Sequence, residues 1–140
     1  MKKKLVLFYS FDEKTRAMAY SKARDLNIED VIEVKEVKER SKFNTILPGI
    51  FEAMNLKKAE IEPINADLKE YGTIIIFMPL WGSYPAPVMN SIIDLMPQGK
   101  EVELYITSSN GKSAKSADNT SNEIQKRGSL VTKYVDLQVI

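Results

Sequence analysis

Three short segments of the sequence hold residue types that could bind a ligand. Segment 10–15 carries hydroxyls and a lysine, segment 79–87 carries the only tryptophan of the chain, and segment 107–113 is rich in hydroxyl and amide groups. Hydroxyls and a lysine beside the first turn of a helix can hold a phosphate. An aromatic side chain can stack on a planar ring, and hydroxyls and amides can hydrogen-bond to the polar edge of that ring.

Each segment also has a plainer structural explanation. Ser10 or Asp12 could cap a helix without binding anything. Trp81 could be a core residue that covers the end of a sheet. Segment 107–113 could be a solvated turn. The three segments taken together are therefore more informative than any one of them.

The chain contains no cysteine and no histidine. Without cysteine there are no disulfides, thiolate nucleophiles, iron–sulfur clusters or cysteine-ligated zinc ions. Without histidine there is no Ser-His catalysis, and the commonest acid–base group for neutral pH is missing. Any reaction must therefore depend on carboxylates, hydroxyls, amines, backbone groups or a bound cofactor.

The size and charge of the chain predict one domain that spans residues 1–140. The 140 residues are 44% hydrophobic and 28% charged, with a net charge of +1, which fits a soluble protein with one core. A nearly neutral chain argues against nucleic acid or a membrane surface as partner. The apolar run 5–9 is too short for a signal peptide or a membrane span, so a cytoplasmic location is expected by default. The oligomeric state stays open.

Five apolar runs predict the strands, at residues 5–9, 31–37, 73–78, 102–106 and 130–137. Segment 73–78 is apolar throughout and rich in β-branched residues, which predicts a central strand closed by Pro79. Segment 31–37 alternates apolar and charged residues, which favours an edge strand.

Helices are predicted between these strands. The first would follow Asp12 and turn four residues toward the sheet, namely Thr15, Ala19, Ala23 and Leu26. A short helix is expected at 50–56. Another would begin near Pro85 and Pro87, with an apolar stripe formed by Val88, Ile92 and Leu95 and supported by Met89 and Ile93. The last would run over 114–127 and end at Gly128.

Strands that alternate with helices predict an α/β fold with a doubly wound parallel sheet and helices on both faces. Ligands of such sheets bind beyond the carboxyl ends of the strands, where the strand order reverses. The three polar or aromatic segments each follow a predicted strand. We therefore expect them to meet at this edge of the sheet.

This arrangement resembles the flavodoxin family over nearly the whole chain. Tyr9-Ser10 and Thr15 match the family's first loop, which usually reads Ser-Gly-Thr-Gly-Asn-Thr after a strand. Segment 79–88, PLWGSYPAPV, is similar to the family's second flavin loop and the helix after it. Segment 107–111, TSSNG, is similar to the third loop. The resemblance implies a flavodoxin-like five-stranded sheet with strand order 2-1-3-4-5.

The resemblance also implies FMN as cofactor and electron transfer as function. The residues it implies for the phosphate are Ser10, Asp12, Lys14 and Thr15. Those it implies for the isoalloxazine ring are Pro79, Leu80, Trp81, Gly82, Ser83 and Tyr84. Those it implies for the polar edge of the ring are Thr107, Ser108, Ser109, Asn110 and Gly111. No catalytic side chain and no metal are expected, and the partner would be a redox protein or a small acceptor.

Two departures from the family pattern keep other functions open. Glu13 and Lys14 stand where the family has glycine and asparagine, and Asp12 and Glu13 bring negative charge near the expected phosphate position. One alternative is therefore a flavodoxin fold that has lost FMN. A second is an FMN oxidoreductase that reduces a quinone-like acceptor, with Phe43, Phe51 or a neighbouring subunit as a pocket wall. Electron-carrier flavodoxins are typically acidic, whereas this chain is nearly balanced.

Overall fold

The chain folds into a parallel sheet with helices on both faces, as seen in a computed structural model that describes residues 3–9, 13–37, 50, 52–53 and 56–139. The strands are β1 (Lys4–Phe8), β2 (Val31–Glu33), β3 (Thr73–Trp81), β4 (Tyr84–Pro85), β5 (Glu101–Ser108) and β6 (Leu130–Gln138). The helices are α1 (Glu13–Asp25), α2 (Pro87–Leu95) and α3 (Ala114–Lys126), and a short 3-10 turn (Leu68–Glu70) precedes β3.

The strand order confirms the predicted topology. The sheet runs β2-β1-β3-β5-β6, with all four neighbouring pairs parallel, and the two-residue strand β4 pairs antiparallel with the end of β3. Setting β4 aside, this is the predicted order 2-1-3-4-5 with one short strand added. The order reverses between β1 and β3, because the chain leaves β1 toward one side and returns on the other.

The two faces of the sheet bury two separate apolar clusters. Alternate residues of a strand point to opposite faces, so Leu5 and Leu7 join the cluster under α2, and Val6 and Phe8 join the cluster under α1. Ile124 of α3 belongs to the α2 side. Central strands that are apolar on both faces are what a sheet covered by helices on both sides requires.

Helix α1 packs against the sheet through small residues. Thr15, Ala19 and Ala23 are buried, as their helical spacing predicts, and the two alanines let the helix axis approach the sheet closely. Leu26 does not join this face, contrary to the prediction. It is 41% exposed, because α1 ends at Asp25 and the chain then turns away through Asn27, which has a φ of 56°.

Pro79 does not close β3, contrary to the prediction. The strand continues to Trp81, and Pro79 pairs with Thr107 of β5. The Phe77 carbonyl accepts a hydrogen bond from the amide of Tyr9, so the backbone groups of Phe77 point toward β1. Backbone groups alternate sides along a strand, so those of Pro79, two residues later, face the same side as those of Phe77. Since β1 ends at Phe8, the missing amide of Pro79 costs the sheet no ladder hydrogen bond.

Helix α2 begins with proline at its first turn, as predicted, and buries Val88, Met89, Ile92 and Ile93. Leu95 was expected on the same face and is instead 51% exposed. The helix ends at this residue, and Met96 takes the inward position in its place, with 2% of its surface exposed.

The remaining elements follow the sequence with shifted ends. Strand β2 is an edge strand but covers only Val31–Glu33 of the predicted segment 31–37. Strand β5 runs on to Ser108, so the third loop begins two residues later than expected. Helix α3 and Gly128, whose φ is 89°, agree with the predicted helix and its stop. Ile50, Glu52 and Ala53 are helical, and the rest of the predicted helix up to residue 55 lies outside the described residues.

Candidate functional site

A cleft of about 700 Å³ opens at the carboxyl edge of the sheet, where the strand order reverses. Its described lining comes from the start of α1, the end of β3, the end of β5 and the end of β6. These residues are Lys14, Thr15, Pro79, Leu80, Trp81, Thr107, Ser108, Ser109, Gln138 and Val139. The cleft therefore brings together all three segments singled out in the sequence.

Eight of the predicted site residues line this cleft. Ser10 and Asp12 lie outside the described residues, as do Phe43 and Phe51. Five further predicted residues stand in the loops beside the lining without belonging to it: Gly82, Ser83, Tyr84, Asn110 and Gly111.

The start of α1 brings a positive charge and a hydroxyl to the cleft. Lys14 is exposed, whereas Thr15 is buried with 2% of its surface accessible. The side chain of Glu13 is exposed, in the first turn of α1. The amino terminus of a 13-residue helix carries a partial positive charge, which adds to the charge of Lys14.

Two buried hydroxyls of the cleft lining meet between helix α1 and strand β5. The Oγ1 atoms of Thr15 and Thr107 are 2.9 Å apart, and either can donate. One proton suffices for this hydrogen bond, so the pair keeps a second O–H donor. Earlier on strands β3 and β5, the rings of Phe77 and Tyr105 stack at 4.7 Å with an angle of 9° between planes.

Trp81 stands at the first corner of a tight hairpin. Leu80 pairs with Pro85 and Trp81 pairs with Tyr84, so only Gly82 and Ser83 form the turn. Gly82 has a φ of 67°, and glycine at the first central position is typical of the type II′ hairpin turn. The segment that follows Pro79, which the sequence placed beyond the strand, is therefore largely strand and turn. The glycine is explained by the turn, which leaves Trp81 on a fixed strand end.

The third loop folds back on its own side chains. The Ser108 hydroxyl accepts a hydrogen bond from the Gly111 amide at 2.9 Å, and the Asn110 carboxamide accepts one from the Lys112 amide at 3.0 Å. Gly111 has a φ of 69°. Ser108 and Asn110 are thus occupied in shaping the loop, and Ser109 is the loop residue that faces the cleft.

The end of β6 contributes two lining residues that the sequence did not indicate. Gln138 donates a hydrogen bond from Nε2 to the Ser109 carbonyl at 3.1 Å, and the Val139 amide donates to the Ser108 carbonyl at 2.8 Å. A Cβ at Gly111 would lie 3.1 Å from Cβ of Gln138, so the loop and the strand end are in close contact. Their position at the end of the last predicted strand could have indicated them, since all strands of a parallel sheet end at the same edge.

The described lining contains a single ionisable side chain, that of Lys14. Among the residues that the structure describes, no group of three or more carboxylates could hold a metal ion. Every buried side-chain polar atom in the described ranges has a hydrogen-bond partner. The described lining therefore offers a ligand one cation, hydroxyls, backbone groups and an indole ring.

The described helices include none long and apolar enough to cross a membrane.

Comparison with known proteins identifies structural relatives. No protein-family model and no curated protein matches the chain. A flavoprotein from Lactobacillus acidophilus, crystallised in complex with FMN, has a TM-score of 0.79 and 26% identity over 96% of this chain and 92% of that chain. A candidate flavoprotein from Bacteroides eggerthii has a TM-score of 0.84 and 17% identity, covering 100% of this chain and 91% of that chain.

A more distant structural relative carries the family's name. Oxidised flavodoxin 1 from Bacillus cereus has a TM-score of 0.56 and 19% identity, covering 99% of this chain and 86% of that chain. Strand order, the position of the cleft and these structural neighbours agree with one another. The chain has a flavodoxin-like fold.

Proposed function

We propose that this chain binds FMN in the cleft and acts in electron transfer. The observation that carries the proposal is the meeting of a lysine, a buried hydroxyl pair and a tryptophan at the point where the strand order reverses. Doubly wound sheets bind their cofactors at this point. A volume of about 700 Å³ fits the usual range for cofactor sites, roughly 300–1,000 Å³. The similar Lactobacillus acidophilus flavoprotein holds FMN.

The phosphate of FMN would lie at the start of α1. Lys14 supplies a positive charge, the helix amino terminus supplies a partial one, and the Thr15–Thr107 pair supplies its second O–H donor. The exposed side chain of Glu13 can remain in water. The negative charge of Glu13 is then screened by solvent, which answers the part of the objection that concerns this residue.

The isoalloxazine ring would lie between the hairpin and the third loop. Trp81 offers an aromatic surface, and Pro79 and Leu80 extend it with apolar atoms. Ser109, Gln138 and Val139 would meet the polar edge of the ring. These groups would hold the ring in place and restrict water around it.

When bound, FMN supplies the redox chemistry, and the protein contributes binding, orientation and the local electric field. The described lining has no carboxylate and only one amine, so it provides no general acid–base pair for a substrate. This composition favours a carrier over an oxidoreductase with its own substrate. The expected partner is a redox protein or a small acceptor.

The proposal is tested by loading the protein with FMN, reducing it under anaerobic conditions and mixing it with ferricyanide as electron acceptor. A carrier gives stoichiometric, single-turnover reoxidation. It also gives negligible steady-state consumption of NADH or NADPH, with or without a quinone. Sustained NAD(P)H-dependent quinone reduction well above that of free FMN would identify an oxidoreductase instead. Failure to retain FMN would contradict both.

A further inference from the structure

Tyr9 connects the tryptophan of the cleft to a carboxylate outside it. Tyr9 follows β1 and is 6% exposed. Its ring meets the Trp81 ring edge to face, with centroids 6.0 Å apart and planes at 64°. Its hydroxyl donates a hydrogen bond to the carboxylate of Glu36. We propose that Tyr9 and Glu36 are positioning residues that set the orientation of Trp81 toward the flavin ring, an inference that rests on the proposed binding of FMN.

The backbone before and after Glu36 is held by hydrogen bonds. The Val37 amide donates to the Glu60 carbonyl at 2.9 Å, and the Glu62 amide donates to the Lys35 carbonyl at 2.8 Å. Glu36 itself forms an antiparallel bridge with Ile61. The carboxylate therefore starts from a fixed backbone position, and the Tyr9 hydroxyl is bound to a fixed acceptor.

A bound hydroxyl makes the tyrosine ring a firm surface for the indole. A tyrosine has two side-chain torsions, and fixing its hydroxyl at the far end removes most of their freedom. The hairpin that carries Trp81 has only two residue pairs, so its backbone cannot define the indole torsions by itself. The edge-to-face contact is thus a means of selecting one indole orientation.

The chain contains a matched control for this arrangement. Tyr71 is also buried, at 7% exposure, and its hydroxyl donates to Asp30 at 3.0 Å. Tyr71 and Asp30 precede β3 and β2, so this tyrosine–carboxylate pair lies at the opposite edge of the sheet from the cleft. Loss of either tyrosine hydroxyl removes the same kind of bond, but only the loss at Tyr9 should alter Trp81.

The experiment compares Tyr9→Phe, Glu36→Leu, the double variant and Tyr71→Phe. Because Trp81 is the only tryptophan, its emission and its quenching by acrylamide report on this one side chain. We expect a changed emission maximum and stronger quenching in the first three apoproteins. We also expect roughly 3- to 10-fold weaker binding of both FMN and riboflavin, since the effect acts on the ring and not on the phosphate. The double variant should equal the single ones, and Tyr71→Phe should match wild type.

Two results would overturn the positioning role. One is a Tyr9→Phe protein whose Trp81 emission and quenching match wild type. The other is altered Trp81 emission with unchanged affinity for both flavins in a wild-type protein that binds them. If the wild-type protein binds no flavin at all, the proposed function fails. The emission and quenching of Trp81 in the apoproteins then still decide whether Tyr9 orients the indole.

Discussion

At the scale of single residues, the cleft depends on pairs of side chains more than on any one of them. Thr15 lies on α1 and Thr107 on β5, yet their hydroxyls share a hydrogen bond and both residues line the cleft. The sequence pointed to Lys14, Thr15 and Trp81 through residue type alone. Residue type gave no indication of Gln138 and Val139, which the register of β6 on β5 brings to the third loop.

Replacing Thr15 with valine should weaken FMN binding about tenfold and leave riboflavin binding nearly unchanged. The variant keeps the shape of the side chain but removes the hydroxyl pair that would reach the phosphate, which riboflavin lacks. It should also cost about 1–3 kcal/mol of folding free energy, because the Thr107 hydroxyl loses its partner. Fluorescence titration and urea unfolding measure the two effects.

Thr73→Val is the control, since Thr73 is buried at the opposite edge of the sheet. Equal losses of affinity for FMN and riboflavin in Thr15→Val would show that the hydroxyl pair does not act on the phosphate.

Replacing Lys14 with glutamine should weaken FMN binding roughly 3- to 10-fold at low ionic strength and less at high ionic strength. The reason is the loss of a solvent-exposed charge beside the phosphate, and salt screens such a charge. Lys69→Gln removes the same charge from the exposed turn before β3 and should have little effect. Similar losses in the two variants would mean that only net charge matters.

At the scale of elements, the hairpin made of the end of β3 and strand β4 determines where Trp81 stands. The sequence predicted a loop after Pro79, because proline usually interrupts a central strand. The strand continues because β1 has already ended where the proline amide would be needed. The local sequence preference of each segment therefore predicts where a strand lies. The residue at which the neighbouring strand ends determines how far that strand can continue past a proline.

Replacing Gly82 with alanine should destabilise the protein by about 1–2 kcal/mol, measured by urea unfolding. Alanine is strained at a φ of 67°, and its Cβ would lie 3.0 Å from Cγ2 of Ile50. Gly99→Ala is the control, since Gly99 has a φ of 77° and no atom within 4 Å of the added Cβ. The difference between the losses of unfolding free energy in Gly82→Ala and Gly99→Ala measures the contact with Ile50. Equal costs in both variants would contradict a close approach of the turn to this residue.

At the scale of the whole molecule, the sheet separates two buried clusters and opens the cleft at one edge. The alternation of apolar runs with helical segments was enough to predict this architecture. The additional strand β4 and the shortness of β2 were not predicted. Strand β4 is a local hairpin partner of β3 that covers only two residues, whereas the length of β2 depends on its pairing with β1, which is distant in the sequence. The single-domain organisation and the partner remain predictions from the sequence.

Stability should fall at alkaline pH through Tyr105. Burial raises the pKa of Tyr105 to about 12, and the negative charge of Glu103 and the hydrogen bond donated to it act in the same direction. The folded state therefore retains the phenol proton more strongly than the unfolded chain, whose tyrosines titrate near pH 10. The resulting stabilisation is fully present below pH 10 and is lost as the pH rises toward 12.

Urea unfolding of wild type and Tyr105→Phe at pH 8 to 12 checks this expectation. The variant should lose less stability than wild type above pH 10, by about 1–2 kcal/mol at the upper end. Parallel pH profiles for the two proteins would show that Tyr105 does not titrate with folding.

The central claim is that the cleft binds FMN, and the most direct measurement is titration of the purified apoprotein with FMN while the emission of Trp81 and of the flavin is recorded. The account predicts saturation at one FMN per chain, with quenching of both emissions because the indole and the flavin ring are in contact. Saturation without any change in Trp81 emission would place the flavin elsewhere. No binding at high FMN concentration would contradict the account and leave a flavodoxin-like fold that serves another ligand.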